Sequence, residues 1–273
     1  MAKVEKKSMD NFGDRMKMLE RQETGRRFIP LLPIYARIDG KCFSKFTKGM
    51  ERPYDVNMSR CMIETVKYLV EATNARVGYT QSDEISLLWY SDSYDSQVFF
   101  DGKIFKMTSI LAAMATSAFM MEAMKVWPEK VMKARPVFDC RIFQLPTKNE
   151  AANAFLWREV DATKNAVSMA ARSVFSHKEL DGKSGKEMQE MMWAKAGINF
   201  NDYPAAFKRG TFVQRRTVIK ELTPEVLARI PEGRRPTAPV ERREIAEIEM
   251  PPFRKVVNRV DVLFDGAEPE TAE

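Results

Sequence analysis

Arg76-Val77-Gly78-Tyr79-Thr80-Gln81-Ser82-Asp83-Glu84-Ile85-Ser86-Leu87-Leu88-Trp89-Tyr90 is the stretch that decides the fold class. Two short β-rich runs, Arg76 to Thr80 and Ile85 to Tyr90, flank the polar residues Gln81 to Glu84, which reads as a hairpin. Working outward, Phe28 to Ile38 carries Leu32, Ile34, Ala36 and Ile38 at period two, the pattern of a strand. Asp55 to Ala72 has Met58, Met62, Val66 and Leu69 at helical spacing. Lys106 to Lys125 is Ala- and Met-rich and free of Gly and Pro, which predicts a buried helix. Val137 to Leu145 is a further strand. The order β-α-β-β-α-β predicts an α+β fold with a ferredoxin-like palm, to which C-terminal helices and strands are added.

That topology places the first and third strands side by side and antiparallel. Asp39, ending the first, then meets Asp83 and Glu84, which precede the third. These three are the candidate catalytic carboxylates. Convergent carboxylates make a hard-oxygen site suited to Mg²⁺, with Asp39, Asp83 and the carbonyl of Gly40 as candidate ligands. Two such ions serve phosphoryl or nucleotidyl transfer. The following residues, Lys41-Cys42-Phe43-Ser44-Lys45, have backbone N–H groups placed to cradle a triphosphate, and Lys41 or Lys45 adds positive charge. No P-loop and no GxGxxG motif is present. Taken singly, Asp39-Gly40 and Ser82-Asp83-Glu84 read equally well as turns.

The net charge is +6, and 14 basic against 9 acidic residues between Arg135 and Arg216 hold most of that excess. Lys208-Arg209 and Arg215-Arg216 are candidate phosphate contacts there. The single histidine, His177, excludes a His-based metal site or a Ser-His-Asp triad elsewhere. Cys42, Cys61 and Cys140 are scattered, which suggests neither a disulfide framework nor a zinc site and points to a reducing cytoplasm. The charged start of the chain is unlike a signal peptide, and no apolar run reads as a membrane span. Residues 1–150 are expected to form the catalytic region with an N-terminal arm, 151–264 an RNA-binding region packed on it, and 265–273 a disordered acidic tail. Within the second region a helix is expected over about Asp161 to Phe175 and a loop from His177. An irregular connection is expected over Pro231 to Pro239, and a last strand over Val256 to Phe264.

Arg37-Ile38-Asp39-Gly40 with Phe43, then Gln81-Ser82-Asp83-Glu84, resembles the signature of the tRNA-His guanylyltransferase family. Leu156-Trp157-Arg158 with Asp161 and Asn165, and the segment from Asn199 through Phe207-Lys208-Arg209-Gly210-Thr211, resemble its later motifs. The resemblance implies a polymerase-like palm, two Mg²⁺ ions, a homotetramer, and addition of nucleotides to the 5′ end of tRNA in the 3′-to-5′ direction. ATP typically activates the 5′-phosphate, and GTP or another nucleoside triphosphate then enters. It also implies that Asp39 to Ser44, Ser82 and Asp83 contact the nucleotide, and that Lys106 meets the activating triphosphate. Asn165 joins the nucleotide contacts, and Arg158, Lys208 and Arg209 the RNA contacts. Thr163 stands where eukaryotic members carry histidine, and Ser44 where they often do. Such a pattern is similar to the branch that performs template-dependent tRNA repair. Strict addition of G to tRNA-His, a palm-type nucleotidyl cyclase and a non-catalytic RNA-binding module remain the alternatives.

Overall fold

The computed structural model describes residues 11–236 and 239–272. The hairpin forms as β2 (Val77–Gln81) and β3 (Glu84–Trp89), joined by Ser82-Asp83 with Ser82 at φ 55°. The first strand is β1 (Ile34–Gly40), six residues later than the run began. Pro30 and Pro33 supply no N–H for a ladder, and Leu31 at φ 64° turns the chain there. Before it, helix α1 (Phe12–Thr24) buries none of its residues. A short α2 (Phe43–Phe46) follows β1, and α3 (Val56–Thr73) starts where the Asp55 carboxylate accepts from the amides of Asn57 and Met58. After the hairpin come α4 (Ile104–Met124), α5 (Pro128–Ala134) and β4 (Phe138–Gln144).

The sheet is antiparallel with the order β4-β1-β3-β2, so the first and third strands pair as the topology required. Two strands that the sequence did not announce, β5 (Thr211–Lys220) and β6 (Val240–Ile248), extend it beyond β2. The accessory region therefore contributes strands to the same sheet as well as helices packed against it. The irregular Pro-rich connection falls between these strands, and Thr237 and Ala238 lie outside the described residues.

Alternation along the strands builds two cores. Ile34, Ala36, Ile38, Ile85 and Leu87 pack under Met62, Val66 and Leu69 of α3 and Leu111, Ala115 and Phe119 of α4. A Cβ on Gly78 would lie 2.4 Å from Val66, so this glycine lets α3 approach. On the other face Tyr35, Val77, Tyr79, Leu88 and Phe212 meet Phe155 of α6 (Lys148–Arg172) and Phe253. Each such large apolar side chain contributes about 1.5–3 kcal/mol on burial. The far half of α6 forms a third cluster with α7 (His177–Leu180), α8 (Gly185–Ala196) and α9 (Ala205–Arg209), burying Leu180, Met192 and Phe207.

Several expectations need correction. Helix α6 begins thirteen residues before Asp161, where the Thr147 hydroxyl accepts from the Glu150 amide. The expected loop at His177 holds α7, closed by a Ser176–Glu179 capping box. A short α10 (Pro224–Ala228) follows β5. The expected last strand is α11 (Arg259–Asp265), which buries Val262, Leu263 and Phe264 against the second core. The tail is ordered through Ala272: the Val257 amide donates to Glu270, and Arg216 donates to the carbonyls of Gly266 and Ala267. Helix α4 is long and apolar enough by composition to cross a membrane, contrary to expectation. Nor is it buried all round, since Met107, Leu111, Ala115, Phe119 and Ala123 face inward while Met121 and Met124 are exposed.

Candidate active site

Asp39 and Glu84 are register partners of β1 and β3, and the Gly40 amide donates to the Asp83 carbonyl at 3.0 Å. The end of one strand and the turn before the other thus meet at one rim. By alternation Tyr35, Arg37 and Asp39 face α6, while Ile38 points to α3 and α4. Asp83 is hydrogen-bonded to the Ser82 hydroxyl at 3.0 Å. Burial raises the Asp83 pKa above its ordinary value, the Ser82 bond acts against it, and the charge on Asp39 adds to the rise. Among the described residues no basic side chain pairs with Asp39 or Asp83.

Glu84 has a different fate and does not join that pair. Arg158 of α6 donates to both its oxygens, Nε to Oε1 at 2.6 Å and Nη2 to Oε2 at 2.8 Å, with Arg37 Nε 3.8 Å away. This fork–fork pairing neutralises Glu84. Burial still raises its pKa, countered by Arg158 and Arg37. Arg158, expected on the RNA face, is therefore committed inward, and it also donates to Asp161 at 3.0 Å.

The loop after Gly40 is anchored by its aromatics. Phe43 and Phe46 are buried against Phe119, and Phe43 against Phe138 as well. The Phe43 side chain accordingly faces the core and not a nucleotide. An added Cβ on Gly40 would lie 2.4 Å from the Phe43 ring, which is why glycine stands there. Lys41, Cys42, Ser44 and Lys45 are exposed around the start of α2, where the Lys41 amide donates to the Val137 carbonyl and the Lys45 amide to the Cys42 carbonyl, so the expected cradle has fewer amides to offer.

Of the other expected residues Lys106 lies apart from the pair, whereas Lys208 and Arg209, just before the Thr80–Thr211 pairing, approach the same rim but are tied to neighbouring groups. Lys106 sits near the start of α4 with its ammonium 4.4 Å from the Phe100 ring. Thr116, which accepts from the Phe138 amide beside Gly40, is ten residues on, about 15 Å along the helix. Lys106 is thus at the opposite end of the sheet within one chain. Lys208 donates to the Asn201 carbonyl, and Arg209 lies 3.8 Å from Glu159, whose buried carboxylate accepts from the Phe253 amide. Both cations serve the packing of α9. Asn165 is exposed on the α6 face that carries Arg158 and Asp161, about two turns past Arg158. One residue was missed: Asp139 of β4 is the register partner of Asp39. The predicted topology held that signal, because the fourth strand flanks the first and runs antiparallel to it.

The donor set fits a hard divalent cation. It consists of two carboxylates, the charge of Asp39 adding to the cost of ionising Asp83, together with one carbonyl and no competing ammonium. No cluster of three or more carboxylate, thiolate or imidazole groups with ligand geometry occurs among the described residues, so water and substrate oxygens would complete the shell. The sheet is covered on both faces, Phe138 is buried and Phe143 packs on Tyr35 at 5.3 Å. Among the described residues Phe138 is thus closed to RNA and Phe143, partly exposed, is engaged by Tyr35, which does not favour the aromatic platform that sheet-based RNA-binding modules use.

A family model described as tRNAHis guanylyltransferase matches residues 13–146. A solved bacterial tRNA(His) guanylyltransferase (Thg1)-like protein in complex with ATP is 38% identical, with TM-score 0.70, over 74% of this chain and 87% of that one. The chain belongs to the tRNA-His guanylyltransferase family. A second Thg1-like structure, in complex with GTP, is 31% identical with TM-score 0.70 and covers 90% of this chain and 95% of that one. The tRNA(His) guanylyltransferase of Saccharomyces cerevisiae is 29% identical over 226 residues, 77% of this chain and 93% of the relative. The enzyme class of this family, nucleotidyltransferase, is the one the carboxylate pair led us to expect.

Proposed function

We propose that the protein adds nucleotides to the 5′ end of tRNA in the 3′-to-5′ direction, repairing truncated ends under the direction of the opposite strand. In this reading the sheet with α3 and α4 is a ferredoxin-like polymerase palm. A nucleoside triphosphate, ATP in the family pattern, activates the 5′-phosphate, and the 3′-OH of an incoming nucleotide such as GTP attacks that activated end. Asp39 and Asp83, with the Gly40 carbonyl, hold two Mg²⁺ ions. When bound, these neutralise phosphoryl oxygens and favour ionisation of the attacking hydroxyl. The chain orients the reactants: the α2 loop with Lys41 and Lys45 receives a triphosphate, and Glu84–Arg158 fixes the floor beside Asp39. The observation that carries the reading is the meeting of Asp39 and Asp83 at one rim, Asp83 partly desolvated and neither with a basic partner among the described residues, next to that loop.

Templating is favoured by Thr163, whose hydroxyl donates to the Glu159 carbonyl of its own helix at 3.0 Å and is spent there. Base pairing then supplies nucleotide choice. The test offers a tRNA lacking its 5′ nucleotide, with each labelled nucleotide in turn. Changing the opposing base from C to U should switch incorporation from G to A by about tenfold or more, equivalent to ~1.4 kcal/mol. Equal addition of G whatever the opposing base would return the reading to strict tRNA-His guanylylation.

The reading includes a homotetramer working in the cytoplasm. Helix α4 is apolar over most of its length, and its outer side with Met132 and Val137 leaves a methionine-rich surface open. Light scattering should give four times the 31.4 kDa chain mass. Met121→Lys with Met132→Lys should lower that mass, and a wild-type monomer at micromolar concentration would overturn the assembly.

A further inference from the structure

Cations in this fold divide by what holds them. Arg37 and Arg158 sit on Glu84, Arg209 on Glu159, Arg216 on the C-terminal carbonyls, and Lys67 between Glu64 and Glu247. Lys41, Lys45, Lys48, Lys133 and Arg135 are all exposed, and among the described residues no hydrogen bond or ion pair engages their side chains. These five come from segments some eighty residues apart, yet the fold lays them side by side. The Lys41 amide donates to the Val137 carbonyl at 2.9 Å, and Lys130 donates to the Lys48 carbonyl at 2.8 Å. Phe46 of α2 also meets Trp127, just before α5, with ring centroids 6.2 Å apart. One row runs Lys41, Lys45, Lys48, and the other runs antiparallel, Arg135, Lys133, Lys130. Both start beside Asp39-Gly40 and lead away from it. Glu129 and Glu51 are the acidic residues on these segments. Arg135 also closes α5 at φ 47°, a position glycine or asparagine ordinarily takes.

Uncommitted charge in a line outward from a reaction centre suits a polyanion whose end lies at that centre. A single triphosphate seated at Lys41 and Lys45 leaves Lys48, Lys133 and Arg135 unused. We propose that Lys48, Lys133 and Arg135 of the α2–α5 surface bind the phosphodiester backbone of the RNA substrate next to its reacting 5′ end. This rests on the function proposed above and adds residues to it, replacing Arg158, Lys208 and Arg209 as the RNA contacts. Recognition here is of backbone charge and independent of base sequence.

The test is the triple variant Lys48→Gln, Lys133→Gln, Arg135→Asn, in which asparagine tolerates the positive φ and Lys130 keeps its structural bond. Binding of a labelled tRNA transcript is followed over a salt series, beside GTP binding without RNA. A control triple, Arg172→Gln, Lys178→Gln, Lys186→Gln, removes the same charge from exposed positions of α6, α7 and α8. The surface variant should lose about two to three from the salt slope, while the control keeps the wild-type slope and GTP affinity changes less than about twofold. A wild-type slope in the surface variant overturns the proposal, as does an equal loss in the control. A parallel fall in GTP affinity overturns it in favour of a triphosphate site. If the wild-type protein itself fails to bind the transcript, the functional reading falls and this proposal with it.

Discussion

Asp39→Asn and Asp83→Asn should each lower nucleotide addition by three or more orders of magnitude while leaving a folded protein. Removing one ligand of a metal charge clamp withdraws several kcal/mol from the transition state, and ~4 kcal/mol is roughly a thousandfold in rate. Stability should move the other way for Asp83. Its pKa is raised in the fold, by burial first and then by Asp39. The native state therefore binds that proton more tightly than the unfolded chain does. The stabilising effect of protonation is fully present below the ordinary aspartate pKa and is lost as pH rises through the raised one. At neutral pH the ionised group is a cost, so Asp83→Asn should unfold at the same or higher denaturant concentration than wild type. Single-turnover addition to tRNA and urea unfolding at pH 7.5 check both halves. Activity within tenfold of wild type in either folded variant would remove the metal assignment. Marked destabilisation of Asp83→Asn would show that the carboxylate is a structural group.

The part of this site that can be read from sequence is the part that strand alternation controls. Asp39 and Asp83 were legible because two β-rich runs and a polar turn leave one antiparallel arrangement, and that arrangement brings the two carboxylates to one rim. Glu84 was not, although it adjoins Asp83. Its role is decided by Arg158, 74 residues on, whose rotamer and helix placement no local pattern encodes. The same holds for Arg209, which looks like a phosphate contact until Glu159 is placed beside it. Strands β5 and β6 were hidden for another reason. In β5 Phe212, Val213 and Gln214 are buried in succession and the exposed side carries Ile219 beside Arg215 and Thr217, and in β6 Glu241 to Arg243 are all exposed, so residue type does not alternate with period two. In α11 the Val-rich run Val256 to Phe264 misled through β propensity. Docking of Val262, Leu263 and Phe264 on the second core outweighs that weak preference.

The Glu84–Arg158 pair carries the second large effect. Both side chains are nearly enclosed, at 15% and 12% exposure, so neither can exchange its partner for water. Arg158→Met should cost about 3–5 kcal/mol, since it strands a carboxylate that burial already disfavours. Glu84→Gln should cost less, because Asp161 remains within 3.0 Å of the guanidinium. The double variant should recover much of the loss, leaving a coupling energy of about 1.5–3 kcal/mol in a double-mutant cycle by urea unfolding. The pH dependence has a defined sign. Burial raises the Glu84 pKa and Arg158 lowers it, so loss of Arg158 drives it further up. Protonation then relieves the stranded charge, and the deficit of Arg158→Met should shrink as pH falls toward that raised value. A contact with RNA predicts the opposite pattern: wild-type stability at every pH, weakened tRNA binding and no coupling to Glu84. Observing that set would return Arg158 to the RNA face and leave Glu84 free to join Asp39 and Asp83.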